Sequence, residues 1–380
     1  MNELDELRGK IDAIDDKLVE LYLKRMEVVR SIAALKSGEK RAVSDSEREN
    51  SVVYRLCKDC PDQMKIYIKE LYRAVFHTSK SYQSALMNID SPTTKRLEEI
   101  LKYELKTMPA SAAVACQGVK GANSGAATKK FFPISDITYF KNFEGVFSAV
   151  EKGLCEFGVL PIENSTAGSV SEVYDLMKKY DFHIVRSARV KIEHCLVAPT
   201  GAKLSGIKKV ISHPQALSQC AEYLRKLGVQ VEAAENTAVA AKIVSEQGDC
   251  TCAALCSADC CEVYGLKILD KSVQDSLLNS TRFICIAKNL EIYKGADRIS
   301  IMMSVSHDPG SLNGVLGKFA ALGLNLVKIE SRPIPNSEFE FMFYFDFEGD
   351  IADKNVRNLI AELENGSDKF TFLGVYKELV

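Results

Sequence analysis

A stripe of aliphatic residues through the first 35 positions limits the fold more than any other feature of the sequence. Its members recur every three or four residues, as on one face of a helix: Leu4, Leu7, Ile11, Ile14, Leu18, Leu21, Val28, Ile32 and Leu35. A helix of about 35 residues is roughly 50 Å long, which is longer than a small monomeric domain can cover. The stripe therefore predicts that a partner chain buries its apolar face, in a homodimer or a higher homo-oligomer.

Three cations lie on or beside this stripe. Arg25 occupies the position that interrupts the repeat, and Arg8 and Lys36 each follow a stripe residue by one place. An unpaired buried charge is costly, so these side chains need anions close by. Either they line a site for an anionic ligand, or Arg25 is a polar residue that sets the register of a coiled coil.

Two further helices are predicted within residues 1–88, and both carry polar residues at helical spacing. The first begins at a capping box over residues 44–47, and the second runs from Asp62 to Met87. Ser79 and Gln83 lie one turn apart on the second helix, so both can face one cavity. The polar residues of the first helix are Asp45, Arg48 and Glu49.

The three-helix segment resembles the all-helical chorismate mutase domain, in which two chains intertwine around closed polar pockets. The resemblance implies a pericyclic rearrangement of chorismate to prephenate. This step needs no nucleophile and no cofactor, only a held conformer and a stabilised ether oxygen. The resemblance implies that Arg25 and the partner subunit's Arg8 bind the carboxylates of the substrate. Lys36 and Gln83 would donate hydrogen bonds to the ether oxygen, and Glu49 would bind the ring hydroxyl. The remaining pocket residues would be Asp45, Arg48 and Ser79. A neutral Gln83 donates at any pH, so we expect the activity to hold from neutral to mildly alkaline pH.

The sequence of residues 89–110 predicts a connector, made of a turn and an amphipathic helix over 95–107.

From 111 to 290, predicted strands alternate with helices, and polar loops follow three strands at 118–125, 163–169 and 212–215. A further polar stretch at 279–283 opens a strand. Since α/β folds build their sites at the C-terminal ends of strands, these loops predict a polar cleft.

The motifs P-I-E-N-S at 161–165, S-H-P-Q at 212–215 and T-R-F at 281–283 resemble those of prephenate dehydratase. The resemblance implies two lobes like those of a periplasmic binding protein, with the chain crossing to the second lobe near 190 and returning near 265. It implies loss of carboxylate and hydroxyl from prephenate, giving phenylpyruvate, carbon dioxide and water. Thr281 would lie closest to the leaving oxygen, while Arg282 and donors of the loops would hold carboxylates. The implied substrate-binding residues are Asn164, Ser165, Thr166, Ser169, Ser212, His213, Gln215 and Phe283.

Two points of this site stay open. A threonine hydroxyl is a weak acid, so Thr281 is expected to position or relay a proton, and His213 is either a general acid or a residue that orders its loop. The loop at 118–124 departs from the family's usual Gly-Pro-x-Gly pattern, because it lacks the proline, the hydroxyl and the aromatic residue.

The last segment, 297–380, predicts strands and helices in the order βαββαβ, which is the ferredoxin-like order. Its motifs at 310–312 and 330–333 resemble the ligand motifs of ACT domains that follow prephenate dehydratases. The resemblance implies that phenylalanine binds between two such domains and inhibits the enzyme. The implied ligand-binding residues are Gly310, Ser311, Leu312, Asn325, Leu326, Glu330, Ser331, Arg332 and Pro333.

Composition narrows the remaining classes of function. A net charge of −2 gives no field that would attract nucleic acid or an anionic membrane, and no apolar run is long enough to span a bilayer. The acidic N-terminus lacks an apolar export segment, and the twelve cysteines are scattered or crowded, so we expect free thiols in the cytoplasm. The crowded cysteines at 250–261 either bind a metal or pack as small apolar residues, and we favour packing, with neither metal nor cofactor.

The sequence as a whole predicts a multidomain enzyme of phenylalanine biosynthesis. We expect a chorismate mutase domain at 1–88, a dehydratase domain at 111–290 and a regulatory domain at 297–380. Three alternatives remain: a non-catalytic ligand-binding regulator, a dehydratase that acts on arogenate, and a redox protein carrying a metal cluster.

Overall fold

The computed structural model describes residues 3–39, 43, 45–87, 90–276, 278–307, 309–334 and 341–379. They belong to two compact units: Met1–Glu104 with Ile301–Phe372 form the first, and Leu105–Ser300 with Leu373–Val380 form the second. The helices are α1 (Glu3–Glu39), α2 (Ser46–Cys57), α3 (Asp62–Met87), α4 (Pro92–Leu101), α5 (Asn123–Phe131), α6 (Phe143–Glu151), α7 (Ser171–Lys179), α8 (Pro214–Gln219), α9 (Ala221–Leu227), α10 (Thr237–Gln247), α11 (Asp259–Tyr264), α12 (Ser311–Ala321) and α13 (Lys354–Asn365).

The strands begin in the second unit and continue into the C-terminal segment. They are β1 (Ser111–Gln117), β2 (Ile134–Phe140), β3 (Phe157–Asn164), β4 (Gly168–Ser169), β5 (His183–Lys191), β6 (Cys195–Ala198), β7 (Lys209–Ser212), β8 (Gln230–Ala233), β9 (Cys252–Cys256), β10 (Lys267–Asp270), β11 (Ser280–Ala287), β12 (Arg298–Ser304), β13 (Leu326–Pro333), β14 (Phe341–Glu348) and β15 (Phe370–Leu379). The division into units falls inside β12 and β15.

The helical part of the first unit forms as the periodicity predicts. Helices α1 and α2 both pack on α3. Most of the stripe on α1 lies exposed in the single chain, including Leu7, Ile14 and Leu18, while α1 buries Val29 and Ala33. Among the described residues, no helix is long and apolar enough to cross a membrane.

Two predicted boundaries of this unit differ from the structure. Asp45 caps α2 by accepting a hydrogen bond from the Arg48 N–H at 2.9 Å, whereas Ser44, the predicted start of the capping box, lies outside the described residues. The helix predicted over 95–107 ends at Leu101, and Lys106 instead forms a β-bridge with Tyr293.

The C-terminal segment has the predicted order βαββαβ, and its strands lie side by side as β13-β14-β12-β15. The strand predicted over 338–346 is described from Phe341 onward, and positions 338–340 lie outside the described residues. Helices α12 and α13 of this segment pack against α3 within the first unit. The packing is close at Gly314, where an added Cβ would come within 2.8 Å of the His77 ring.

The second unit contains two lobes, each with its own sheet. In the first lobe the strands lie in the order β15-β5-β11-β3-β1-β2, and in the second they lie in the order β10-β6-β9-β7-β8. The chain enters the second lobe between β5 and β6, as predicted near 190, and returns between β10 and β11. The return predicted near 265 is too early, because β10 at Lys267–Asp270 still pairs with β6.

Most of the crowded cysteines belong to the core of the second lobe, whereas Cys250 is exposed. Cys252, Cys256 and Cys260 are buried with Ala254 and Val244 in one apolar cluster. Free cysteine packs as a small apolar residue, and here it fills the space between β9, α10 and α11.

Candidate active site

A polar cavity of about 330 Å³ lies between the two lobes of the second unit. Residues at the ends of β3 and β11 line it from the first lobe, and residues of α8 line it from the second. The lining includes Asn164, Thr281, Phe283, His213, Gln215, Gln219 and His194. The cavity therefore lies where strands of both lobes end, as expected for an α/β fold.

Asn164 and Thr281 lie opposite each other on paired strands, and their side chains make a hydrogen bond. The Asn164 Nδ2 donates to the Thr281 Oγ1 at 2.9 Å, and both residues are nine-tenths buried. The backbone N–H groups of Thr166 and Ala167 donate to the Asn164 Oδ1 at 3.0 and 2.9 Å. Because these donors fix which end of the amide carries the oxygen, Thr281 must accept from Asn164 and its own hydrogen is free to point elsewhere.

Three residues that the sequence motifs missed extend this network. Asn279 accepts from the Asn164 Nδ2 at 2.9 Å and donates to the Gln219 Oε1 at 3.0 Å. The His194 Nε2 lies 3.0 Å from the same Gln219 oxygen, and burial lowers the pKa of His194. A neutral His194 that donates to Gln219 completes one consistent set of donors and acceptors. Gln219 could have been found from its spacing, since it follows Gln215 by one helical turn on α8.

His213 is the N-cap of α8. Its Nδ1 accepts a hydrogen bond from the Gln215 backbone N–H at 3.2 Å, and burial lowers the pKa of the ring. Both features favour a neutral imidazole with one nitrogen already occupied. This geometry supports the loop-ordering alternative for His213, although the ring also lines the cavity.

Four predicted substrate-binding residues do not line the cavity. Ser212 is fully buried and donates to the Leu255 carbonyl at 2.7 Å, so it faces into the second lobe. Ser165 is exposed, donates to the Leu278 carbonyl and accepts from the Ser280 N–H. Thr166 donates its backbone N–H to Asn164, and Ser169 on β4 pairs with Glu163 on β3. The structure places these four residues in support of the loops.

Arg282 lies on the opposite face of β11 from Thr281, so the structure does not bring it to the cavity where the predicted grip on substrate carboxylates would be needed. Successive side chains of a strand alternate between its faces, so Thr281 and Phe283 line the cavity and Arg282 does not. Arg282 is 7% exposed, and its Nε lies 2.9 Å from the Glu378 carboxylate.

The unusual loop at 118–124 also borders the cavity and is held by the second lobe. The Tyr264 hydroxyl donates to the Lys120 carbonyl at 2.7 Å, and the Ser257 hydroxyl donates to the Gly121 carbonyl at 3.2 Å. Gly118 and Gly121 both have positive φ, at 106° and 90°. These contacts supply the rigidity that the missing proline would otherwise give.

In the first unit, part of the predicted mutase site is brought together. The Arg25 guanidinium donates to the Ser79 hydroxyl, and Gln83 is buried one turn further along α3. The Gln83 Oε1 is buried and has no hydrogen-bond partner among the described residues. Glu49 forms an ion pair with Lys80 at 3.0 Å. Arg25, Ser79 and Gln83 thus form one polar group at the α1–α3 contact.

The other predicted mutase residues lie apart from this group in the single chain. Arg8 is exposed and lies 3.6 Å from Asp5 one turn away, and Arg48 is exposed on α2. Lys36 donates to the Val43 carbonyl at 2.7 Å, and Asp45 serves as the cap of α2.

The two predicted phenylalanine motifs occupy defined positions in the C-terminal segment. Gly310 caps α12 in the left-handed region, and Ser311 opens that helix and accepts from the Ser306 hydroxyl. Leu312 lies in the first turn of α12. Asn325 precedes β13 and donates to Glu348 at 2.9 Å. The predicted residues on β13 itself are Leu326, Glu330, Ser331, Arg332 and Pro333. A cavity of about 960 Å³ adjoins Gly310 and Ser311 within the first unit.

Two lobes around a cavity, with a hydroxyl held by an amide, are the arrangement of a two-lobed α/β protein that binds a small molecule between its lobes. The profile of the prephenate dehydratase family matches residues 114–291, and that of chorismate mutase type II matches residues 7–84. The Arabidopsis thaliana protein named arogenate dehydratase/prephenate dehydratase 2, chloroplastic, is 38% identical over 275 residues, which cover 69% of this chain and 72% of that protein. The chain belongs to the prephenate dehydratase family and carries a chorismate mutase segment ahead of it.

Solved structures of similar fold include a prephenate dehydratase and a protein with a different named activity. A prephenate dehydratase from Arthrobacter aurescens, solved in complex with L-Phe, gives a TM-score of 0.64 at 28% identity and covers 70% of this chain and 89% of that chain. GqqA, described as a novel type of quorum quenching acylase, gives the same TM-score at 30% identity and covers 70% of this chain and 97% of its own.

The comparisons contradict the expected cytoplasmic location. Arabidopsis thaliana relatives that are 38% identical to this chain carry the word chloroplastic in their names, which places those proteins in a plastid. The expectation rested on the acidic N-terminus and the free thiols, and neither feature distinguishes a plastid from the cytoplasm.

Proposed function

We propose that the chain is a bifunctional enzyme of phenylalanine biosynthesis that converts chorismate to prephenate and prephenate to phenylpyruvate. The mutase reaction belongs to residues 1–88 and the dehydratase reaction to residues 111–290, joined by the connector at 89–110. Residues 297–380 form an ACT domain that senses phenylalanine. Each of these parts has its own support and its own test.

The hydrogen bond from Asn164 to Thr281 is the observation that carries the dehydratase proposal. Since the Thr281 Oγ1 accepts from the amide, its own O–H can donate into the cavity toward the leaving hydroxyl of the substrate. As the bond to the ring carboxylate breaks, its electron pair aromatises the ring and the C–O bond breaks. The departing oxygen takes up a proton and leaves as water, and the other two products are carbon dioxide and phenylpyruvate. A positioned hydroxyl stabilises the negative charge that develops on that oxygen.

The other cavity residues bind the substrate and shape its site, and they take no part in breaking its bonds. Gln215 lies 3.4 Å from the Asn164 Oδ1 and offers amide hydrogens beside Thr281. The Phe283 ring forms an apolar wall next to Thr281, against which the ring of the substrate can lie. Binding of carboxylates falls to N–H and O–H donors of the cavity, because Arg282 faces away.

Arogenate is the second candidate substrate, because relatives at 38% identity are named arogenate dehydratases. It differs from prephenate in its side chain, which carries an amine in place of the ketone. We expect prephenate to be preferred, since the mutase segment of the same chain would produce it. Purified protein given each compound separately decides this point: a higher kcat/KM with prephenate supports the proposal, and a higher value with arogenate reverses the assignment.

Support for the mutase proposal comes from the polar group of Arg25, Ser79 and Gln83. The buried Gln83 Oε1 has no hydrogen-bond partner among the described residues, so it can accept a hydrogen bond from a ligand. The Gln83 Nε2 gives one hydrogen to the Ser79 carbonyl at 3.4 Å, which leaves the other for the ether oxygen. The exposed apolar stripe on α1 supports a second copy of the chain as the cover for this site. In such a dimer Arg8, which is exposed in the single chain, can reach the site of its partner. Insensitivity of the mutase activity to mildly alkaline pH remains a prediction.

The sensor proposal is supported by the βαββαβ order, the motifs at Gly310–Leu312 and Glu330–Pro333, and a related dehydratase solved with L-Phe. Phenylalanine would favour one arrangement of the enzyme over another and lower the dehydratase rate. Dehydratase assays with and without millimolar phenylalanine test this, beside calorimetric binding. Binding without any change of rate contradicts the proposal, and inhibition that Ser311→Tyr weakens supports it.

A further inference from the structure

The buried arginine behind the reactive hydroxyl needs an explanation, because it does not face the cavity. Arg282 directly follows Thr281 on β11 and points to the opposite face of the sheet, with 7% of its side chain exposed. A buried guanidinium is stable only when it is paired and hydrogen-bonded. Its partners therefore show what holds the back of the strand that carries Thr281.

These partners lie at the end of the chain, on β15. The Arg282 Nε lies 2.9 Å from the Glu378 Oε1, and an Arg282 amino group donates to the Tyr376 hydroxyl at 2.8 Å. The Tyr376 hydroxyl is also 2.7 Å from the Ser300 Oγ at the start of β12. The Glu378 side chain is also 7% exposed, so this ion pair is removed from water on both sides.

Glu378 joins three strands through its carboxylate. Besides Arg282 on β11, it contacts the Arg298 guanidinium on β12 at 3.2 Å and the Ser187 hydroxyl on β5 at 3.4 Å. Arg189, also on β5, lies 3.5 Å away but is half exposed. A carboxylate with several charge-assisted partners in a buried site holds a fixed position, since losing any one partner is costly.

The strand that carries Glu378 has little freedom to shift. Gly374 on β15 has a φ of 143°, and an added Cβ would lie 2.2 Å from the Ile184 carbonyl of β5. Four residues later, Glu378 pairs in parallel register with Ser187. Close approach at Gly374 and pairing at Glu378 fix β15 against β5, and β5 in turn pairs along the whole of β11.

We propose that Glu378 is a positioning residue of the dehydratase, which holds Arg282 behind β11 and thereby fixes Thr281 at the cavity. This inference rests on the proposed dehydratase function. Neither Glu378 nor Arg282 touches substrate, so both act through the backbone of β11. A misplacement of about 1 Å at a reacting group can lower a rate by about 100-fold.

The test is a double-mutant cycle on Glu378→Gln and Arg282→Met. Each single variant is expected to lower the dehydratase kcat by about 10- to 100-fold while KM changes less than threefold. The double variant is expected to lose no more than the worse single variant, because both remove the same contact. Glu232→Gln is the matched control, since Glu232 forms an exposed ion pair with Lys209 at 3.0 Å in the same unit.

Two readouts separate this inference from the function on which it rests. If wild-type protein does not convert prephenate, the dehydratase proposal fails. The positioning role of Glu378 can then still be tested by measuring amide hydrogen exchange along β11 in the same variants. Faster exchange at Thr281 and Arg282 in Glu378→Gln, absent in Glu232→Gln, supports the positioning role. The positioning role is contradicted if the effects of the two single variants simply add in the double variant. It is also contradicted if KM rises while kcat is unchanged. Circular dichroism and thermal melting exclude variants that fail to fold.

Discussion

Asn164 determines what Thr281 can do, because its amide has only one orientation that satisfies both neighbours. Two backbone N–H groups occupy the Asn164 oxygen, so the nitrogen faces Thr281. The hydroxyl hydrogen is therefore left for the substrate. In the proposed mechanism the reactive group is thus the Thr281–Asn164 pair rather than Thr281 alone.

Asn164→Asp tests this direction of donation with almost no change of shape. The carboxylate keeps an oxygen for the two backbone N–H groups but presents a second oxygen to Thr281, whose hydrogen then turns toward it. We expect kcat for prephenate to fall by about 100-fold, within the usual range for a lost proton donor, while KM changes little. Steady-state kinetics measure both values. An Asn164→Asp enzyme with wild-type kcat would show that the hydroxyl does not act as a donor.

His213 gives a pH-dependent prediction for stability. Its neutral ring accepts the Gln215 N–H, and its pKa is lowered by burial, so the cap contributes fully above the unfolded-state pKa of about 6.5. The contribution is lost as pH falls through the lower folded-state pKa, when the ring must take up a proton. His213→Asn keeps a capping acceptor that does not titrate.

The melting temperature of wild type should therefore fall below that of His213→Asn as pH falls, so the two values move apart. We expect the wild type to lose more stability than the variant between pH 7.5 and pH 5, measured by thermal melts at constant ionic strength. Other histidines are common to both proteins and cancel in the comparison. A difference that stays constant over this range would mean that His213 is not a neutral cap.

At the scale of single elements, β11 shows what the sequence could predict and what it could not. The motif at 281–283 marks the strand and its hydroxyl, and strand alternation alone separates Arg282 from Thr281 and Phe283. That period of two should have excluded Arg282 from the substrate. Its partner Glu378 lies 96 residues further along the chain, and no local pattern connects the two. Asn279 and Gln219 lie outside the sequence motifs, and although the spacing of Gln219 from Gln215 is a local signal, the contact between Asn279 and Gln219 crosses between lobes and has none.

Helix α1 shows the opposite case, in which the pattern predicts the element in full. Its 37 residues form one helix, and its apolar stripe lies exposed in the single chain. Helix propensity and spacing are local properties, so the sequence carries them completely. What covers the stripe is a property of the assembly, and the expected partner is a second copy of the chain.

Ile14→Lys tests the role of this stripe. Ile14 is 57% exposed in the single chain, and a charge there would have to be buried in a dimer. We expect a smaller oligomer by light scattering and a loss of mutase activity of at least 10-fold, with dehydratase activity retained. Asp16→Lys is the matched control, because it places the same side chain on α1 away from the stripe. If both variants keep the wild-type mass and mutase activity, the stripe is not the interface.

At the scale of the whole molecule, the chain joins its parts through strands that belong to both units. Strands β12 and β15 each begin in one unit and end in the other, and their Arg298 and Glu378 lie in the ion cluster behind β11. The order of these strands was predictable from the βαββαβ pattern. The contribution of β12 and β15 to the dehydratase unit could not be predicted, because the sequence pattern of residues 297–380 indicates one separate domain.

The fate of chorismate given to purified protein, followed by chromatography over time, tests both activities in one experiment. We expect wild type to convert chorismate to phenylpyruvate with prephenate as a transient. Thr281→Val, which keeps the shape of the side chain but removes the hydroxyl, should consume chorismate equally fast and accumulate prephenate. If wild type leaves chorismate unchanged, the mutase assignment is wrong. If wild type accumulates prephenate as Thr281→Val does, the central claim of a bifunctional enzyme is contradicted.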